Sequence, residues 1–354
     1  MNARVIPPIA ITGSLLTSST VIETTPAVYA GGTTYAAGDL VYVGTVGQLL
    51  TVYQSLQSAN TGHTPSSSPT WWANVGTLYA EYNAGTTYAI GNIVQQASSH
   101  QVYEALAAGS GNALSDTTKW LLLGPTNKWA MFDTLRSTST SAPLSMTIVL
   151  TPGMRINACA LTNVVADSVM LSATSVVGGG VVYAHTETLS TREVFDWYSY
   201  FFEPFTSRKS VVVFDIPPYS DLILTVTLTI ASGDVSIGSL DIGSSVDLGP
   251  VLVGASPDKL NFSTITRAVD GTATIVSRPS KPNLTVQTWF DYSMLKKVMQ
   301  VAEYLDAVPA VWVGLEDSTD YRFDSMIIRG IYRKFTPTYA EGNRVDLNME
   351  LEEI

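Results

Sequence analysis

The chain has 354 residues, 45% apolar and only 14% charged, a balance that excludes a disordered polyelectrolyte and, at this length, suits two or three cores rather than one. Lys and Arg number 19 against 30 Asp and Glu, for a net charge of −11, which argues against nucleic acid as a partner, because phosphates are bound through cations that displace their counterions. No run of about 18 apolar residues is available for membrane insertion, no signal peptide is expected, and the lone Cys159, set among apolar neighbours, is expected in a core without a disulfide.

Thr, Ser, Val, Tyr and Gly dominate the palette, which suits pleated surfaces, so the fold class expected is mainly β. Residues 1–26 are rich in Thr, Ser and Pro and read as an N-terminal arm or a strand.

A repeat follows. Tyr35, Gly38, Asp39 and Val41 recur as Tyr88, Gly91, Asn92 and Val94, with Thr33-Thr34 matched by Thr86-Thr87. Tyr53 pairs with Tyr103 and Trp72 with Trp120 at shorter offsets, so the second copy has lost a few loop residues. Each copy, residues 27–77 and 78–126, reads as short strands joined by Gly-Asp or Gly-Asn turns. So small a unit must draw much of its packing from aromatic rings.

These residues, with Asn60, Gly62, Pro65 and Trp71-Trp72, resemble the small chitin- and cellulose-binding modules appended to bacterial glycosidases. The resemblance covers residues 27–125. The second copy departs from the pattern with Asn92 in place of the acid and a single Trp, and Tyr29 and Tyr82 stand where the family commonly has Trp. It implies contact with a glycan, whose apolar C–H faces stack on flat rings. The candidate carbohydrate-binding residues are Trp71, Trp72, Tyr35, Tyr53, Tyr88, Tyr103 and Trp120. Packing in the module core is the competing role. The core is favoured for Tyr53, Tyr103, Trp72 and Trp120, and exposure for Trp71, which alternates with Trp72 along a strand. Tyr35 and Tyr88 stay open between the two.

Residues 127–250 predict a β-sandwich, jelly-roll-like, with strands near 145–150, 168–172, 180–183, 210–215 and 222–230, and a turn at Ala231-Ser232-Gly233. Leu222, Leu224, Val226, Leu228 and Ile230 alternate with threonines, which marks one buried face. Residues 196–205 form an aromatic run with carboxylates that suits a binding surface, a subunit contact or a core-covering loop.

Residues 251–354 predict an α+β region with one amphipathic helix, 291–305, capped by Asp291 or Ser293 and buried through Leu295, Val298, Ala302 and Leu305. Strands are expected near 272–276, 283–289, 309–314, 326–332 and 345–354. The helix, the following Val-Pro-Ala-Val-Trp-Val-Gly segment and the acidic closing strand resemble bacteriophage tail-tip and baseplate proteins of the distal-tail type, over residues 235–354. That resemblance implies a structural virion subunit of the tail, assembled in the host cytoplasm. Its partners would be copies of itself in a symmetric ring, other tail proteins and a bacterial surface glycan.

No catalytic residue, cofactor or metal site is expected. His63, His100 and His185 lie far apart, and no nucleotide-binding or nucleophile motif is present. The alternative is a polysaccharide depolymerase, for which Glu187, Glu193, Asp196, Glu203 and Asp215 could supply a carboxylate pair.

Overall fold

The computed structural model describes every residue except 1, 136, 192–195, 203–205, 319, 321 and 341. Strands take up 49% of the chain and helix 8%, which fixes the class as mainly β.

Two antiparallel sheets form the sandwich. One runs in the order Gly180–Thr188, Ser168–Ser175, Ile223–Ile237, Thr140–Leu150, Leu16–Ser19. The other is Ser210–Val213, Ala158–Thr162, Ser239–Gly243. Leu222, Leu224, Val226 and Leu228 are buried between the sheets with Cys159, Leu161 and Ile242, as the alternation predicts. Burial pushes the Cys159 thiol far above its ordinary range. The turn expected at Ala231-Ser232-Gly233 does not end its strand. The ladder with Thr140–Leu150 slips there, with Leu144 and Gly233 at positive φ, so the glycine serves a bulge within one long strand.

The C-terminal region is a barrel. Its strands run Val246–Pro250, Asn2–Ile6, Ala310–Val313, Ile327–Tyr339, Arg344–Glu353, Lys281–Asp291 and Ser256–Leu260. Just past Pro250 the chain crosses from one edge of the sheet to the other. Val251 bridges Thr288 and the Leu252 N–H donates to Gln287 O, which closes the sheet on itself. Gly249 makes this crossing possible: its φ is +88°, and a Cβ there would lie 2.0 Å from Trp289 O. The helix Tyr292–Tyr304 packs on the barrel through Val298 and Ala302, with Leu305 buried just beyond it. Asp291 is its N-cap by backbone geometry but makes no side-chain capping bond.

The segment from Asn2 to Ser19 is built into both bodies. Asn2–Ile6 is an inner barrel strand and Leu16–Ser19 an edge strand of the sandwich. The sequence could not show this, because the partners of Asn2–Ile6 lie some 240 and 310 residues away. The two bodies also share an apolar seam of Ile6, Ala158, Ala160, Val212, Val311, Val313 and Phe323. Across the same seam Arg329 Nε donates to Asp241 at 2.8 Å, and its Nη2 donates to Asp133 O at 2.7 Å.

The repeated modules occupy one connection of the sandwich. Leu16–Ser19 and Thr140–Leu150 are paired neighbours, Ile148 with Ser19 and Val149 with Ser18, and both modules lie in the chain between them.

Candidate functional site: the paired aromatic modules

Each module is built around one tight turn. In the first, Gly38 takes φ +95°, the Asp39 carboxylate accepts the Ala36 N–H at 2.7 Å, and the Gly38 N–H donates to Ser55 O. In the second, Gly91 takes φ +81°, Asn92 Oδ1 accepts the Ala89 N–H at 2.8 Å, and the Gly91 N–H donates to Ala105 O. The turn needs an acceptor and no charge, so Asn replaces Asp without loss of this bond.

Behind each turn stands the same aromatic triad. Tyr29 stacks on Tyr35 at 6.0 Å, and both meet the edge of Trp72 at 5.9 and 5.1 Å. Tyr82, Tyr88 and Trp120 repeat this at 5.9, 5.6 and 5.4 Å. The Tyr35 and Tyr88 hydroxyls accept the N–H of Ala30 and Asn83. Trp72 Nε1 donates to His63 O at 2.8 Å, and Trp120 Nε1 to Asn112 O at 3.2 Å. The tyrosines at positions 29 and 82 are therefore working members of the triad, with their stacking geometry conserved between copies.

The structure divides the seven candidates. Tyr35, Trp72, Tyr88 and Trp120 are buried in the two module cores. A ring packed on both faces cannot also stack on a sugar, so these four serve the fold. Tyr53, Tyr103 and Trp71 are half-buried against the same module cores, so Trp71 is less open than the expected exposure. Trp71 lies parallel to His63, centroids 4.0 Å apart at 11°, which holds the indole in one orientation. The modules differ here. The backbone bond from Leu56 N–H to Trp71 O is matched by Leu106 N–H to Lys119 O, so Lys119 stands where Trp71 does. In place of the Trp–His stack, the second module exposes Ile90 and the run Leu121-Leu122-Leu123.

Sequence reasoning missed His63, which nothing in its loop marks. It also missed a buried carboxylate at the root of the modules. Glu23 is 8% exposed and accepts from Thr126 Oγ1 at 2.6 Å and Trp129 Nε1 at 3.2 Å, with His100 Nδ1 at 2.8 Å. His100 in turn stacks on Trp129 at 4.1 Å. Residue 23 precedes the modules, Thr126 ends the second and Trp129 follows it. This cluster therefore clamps the entry and exit chains together and ties His100 of the second module to both. The first module is held too: Ile22 packs on its core, and Gly76 sits near Pro143 of the sandwich.

Of the carboxylates named for a depolymerase, Glu187 and Asp215 lie on either side of the stacked Tyr183 and His185, whose ring centroids are 6.4 Å apart. Glu187 is ion-paired with Arg208, with His185 Nε2 at 2.9 Å, and Asp215 accepts the Tyr183 hydroxyl at 2.6 Å. Asp196 precedes the short helix Trp197–Phe202, and Glu193 and Glu203 lie outside the described residues. Among the described residues no group of three His, Cys, Asp or Glu is placed to hold a metal ion. No described helix is long and apolar enough to cross a membrane.

Comparison with models of known families gives no match to the chain, and comparison with curated proteins gives none.

Proposed function

We propose that this chain is a structural subunit of a bacteriophage tail tip or baseplate that assembles into a ring and holds a glycan-contacting module toward the host surface. The observation that carries this reading is the insertion of two aromatic modules into one connection of a sandwich fused to a barrel, with the second module tied down at its root by Glu23 and the first by Ile22 and Pro143. A rigid mount presents a weak sugar site at a fixed angle, and repetition around a ring multiplies its avidity. Within the modules the glycan-contacting surface is Trp71 with His63, flanked by Tyr53. The second module, with Lys119 at the matching place, acts as a spacer or an apolar contact.

The engagement of Glu187 by Arg208 and of Asp215 by Tyr183 supports a binding role over depolymerisation. Immunogold labelling of virions tests the location, and signal confined to the tail tip is expected. Binding of the full chain to host surface polysaccharide, compared with Trp71→Ala, tests the module, with at least a tenfold loss expected. Equal binding by both forms removes Trp71 from the site, and labelling absent from virions ends the structural reading.

A further inference from the structure

The first module buries an amide that its fold does not require. Asn60 is fully buried, and its Oδ1 has no hydrogen-bond partner. A buried acceptor left unpaired is costly, and the second module shows that the cost is avoidable. Asn60 stands opposite Tyr35, whereas the residue opposite Tyr88 is Gly109. With that glycine the second module still forms the same turn, the same aromatic triad and the same strand pairing.

What Asn60 adds lies at its other amide atom. Nδ2 donates to Ser55 Oγ at 2.9 Å and to Trp71 O at 3.4 Å. Ser55 Oγ donates in turn to Gln57 O at 2.9 Å, and Gln57 Nε2 donates to Thr70 O at 2.8 Å. The Leu56 N–H also donates to Trp71 O, so three donors grip the carbonyls of Thr70 and Trp71. The orientation of the amide is forced. Trp71 O is a carbonyl and Ser55 Oγ has its hydrogen on Gln57 O, so both need a donor, and Oδ1 is the atom left over.

The second module lacks this polar clip as a whole. Ala105 replaces Ser55 opposite the core Trp, Ala107 follows Leu106 where Gln57 follows Leu56, and Gly109 replaces Asn60. None of the three has a side-chain donor. The Trp–His stack is missing from the same copy. Lys119 stands in the place of Trp71, and Trp120 Nε1 donates to Asn112 O where Trp72 Nε1 donates to His63 O. Clip and stack thus occur together in one module and are absent together from the other, over a common core.

We infer that Asn60 is a positioning residue: with Ser55 and Gln57 it fixes the backbone that carries Trp71, so that the indole meets a sugar ring in the orientation it already holds. A ring fixed before contact loses little conformational freedom on binding, which matters most at a weak site. The inference rests on the reading of Trp71 as the glycan contact.

Fluorine NMR of the full chain labelled with 5-fluorotryptophan tests the positioning, with the Trp71 line identified by its absence in Trp71→Phe. A single narrow line is expected in the native chain, and a shifted, broadened line in both Asn60→Ala and Gln57→Ala. Gln57 is exposed, so its variant loosens the clip without opening the core. Should Asn60→Ala unfold the module, seen as fast hydrogen exchange in Leu50–Ser55, Gln57→Ala decides the question. Binding to host surface polysaccharide is measured in parallel. Asn60→Ala is expected to weaken it about fivefold in the native background and by less than about twofold in Trp71→Ala, because a residue acting through Trp71 then has nothing to position. A Trp71 line unchanged in both variants overturns the inference, as does an equal loss of affinity in the two backgrounds. A native chain that binds no polysaccharide overturns the glycan reading, and the fluorine line then still decides whether Asn60 holds Trp71.

Discussion

Trp71 and Trp72 are neighbours in sequence with opposite expected roles, and truncating each to Ala separates them. Trp72 is 2% exposed, touches Tyr29 and Tyr35 edge-on and donates to His63 O. Its loss removes a buried indole from a core that otherwise consists of Tyr35 and Val41, covered by the half-buried rings of Tyr29, Tyr53 and Trp71. Truncation of a buried Trp costs about 3–5 kcal/mol. A unit of some 50 residues holds only about 3–7 kcal/mol in total. Trp72→Ala should therefore bring the first module close to its unfolding midpoint, while Trp71→Ala gives up the stack on His63 and the edge of a half-buried ring on the core, about 1 kcal/mol. Hydrogen exchange read by mass spectrometry resolves this in the full chain, because the strands Leu40–Val43 and Leu50–Ser55 report on the first module alone. Trp72→Ala should accelerate exchange there by roughly a hundredfold or more, and Trp71→Ala by less than about tenfold. Strands that exchange equally fast in both variants, or a Trp72→Ala module as protected as the native one, would refute the assignment of Trp72 to the core.

Three further outcomes are expected. Gly249→Ala should cost about 2–4 kcal/mol, from a left-handed backbone and a Cβ driven into Trp289 O; chemical denaturation measures it, and a loss under about 0.5 kcal/mol would mean the barrel closure is loose. Arg329→Met should destabilise by about 3 kcal/mol, because it leaves Asp241, 6% exposed, without its cation; the double variant with Asp241→Leu should recover part of that loss. Cys159 should resist thiol reagents until the chain unfolds. The raised folded pKa of its thiol contributes stability that is complete below the ordinary thiol range and lost as pH rises beyond it. Stability should accordingly fall by up to about 1.4 kcal/mol per pH unit above pH 9, and Cys159→Ala should flatten that slope in alkaline unfolding curves.

The periodic signals in the sequence carried the mainly-β class, the buried face Leu222–Leu228 and the helix that ends at Tyr304, because each depends on neighbours within one element. The repeat was legible for the same reason: a Gly-Asp or Gly-Asn turn and a tyrosine at fixed spacing specify the local path. The site was only partly legible. Seven aromatic residues fitted a sugar platform equally well by type, and only packing separated the four that fill the cores from Trp71, held flat on His63. Alternation along a strand states which residues share a face and is silent on which face meets a second layer.

What the sequence by itself determined is therefore the local grammar: two copies of a turn-and-triad module, strands with one apolar side, and an acidic, mainly-β chain. Tertiary structure alone decided that Asn2–Ile6 lies inside the C-terminal barrel, that both modules fill a single connection of the sandwich, and that Glu23 meets Trp129 across 106 residues of chain. Those contacts join segments far apart in sequence. Their partners are selected by burial and hydrogen-bond satisfaction in the finished core, and no local pattern encodes them.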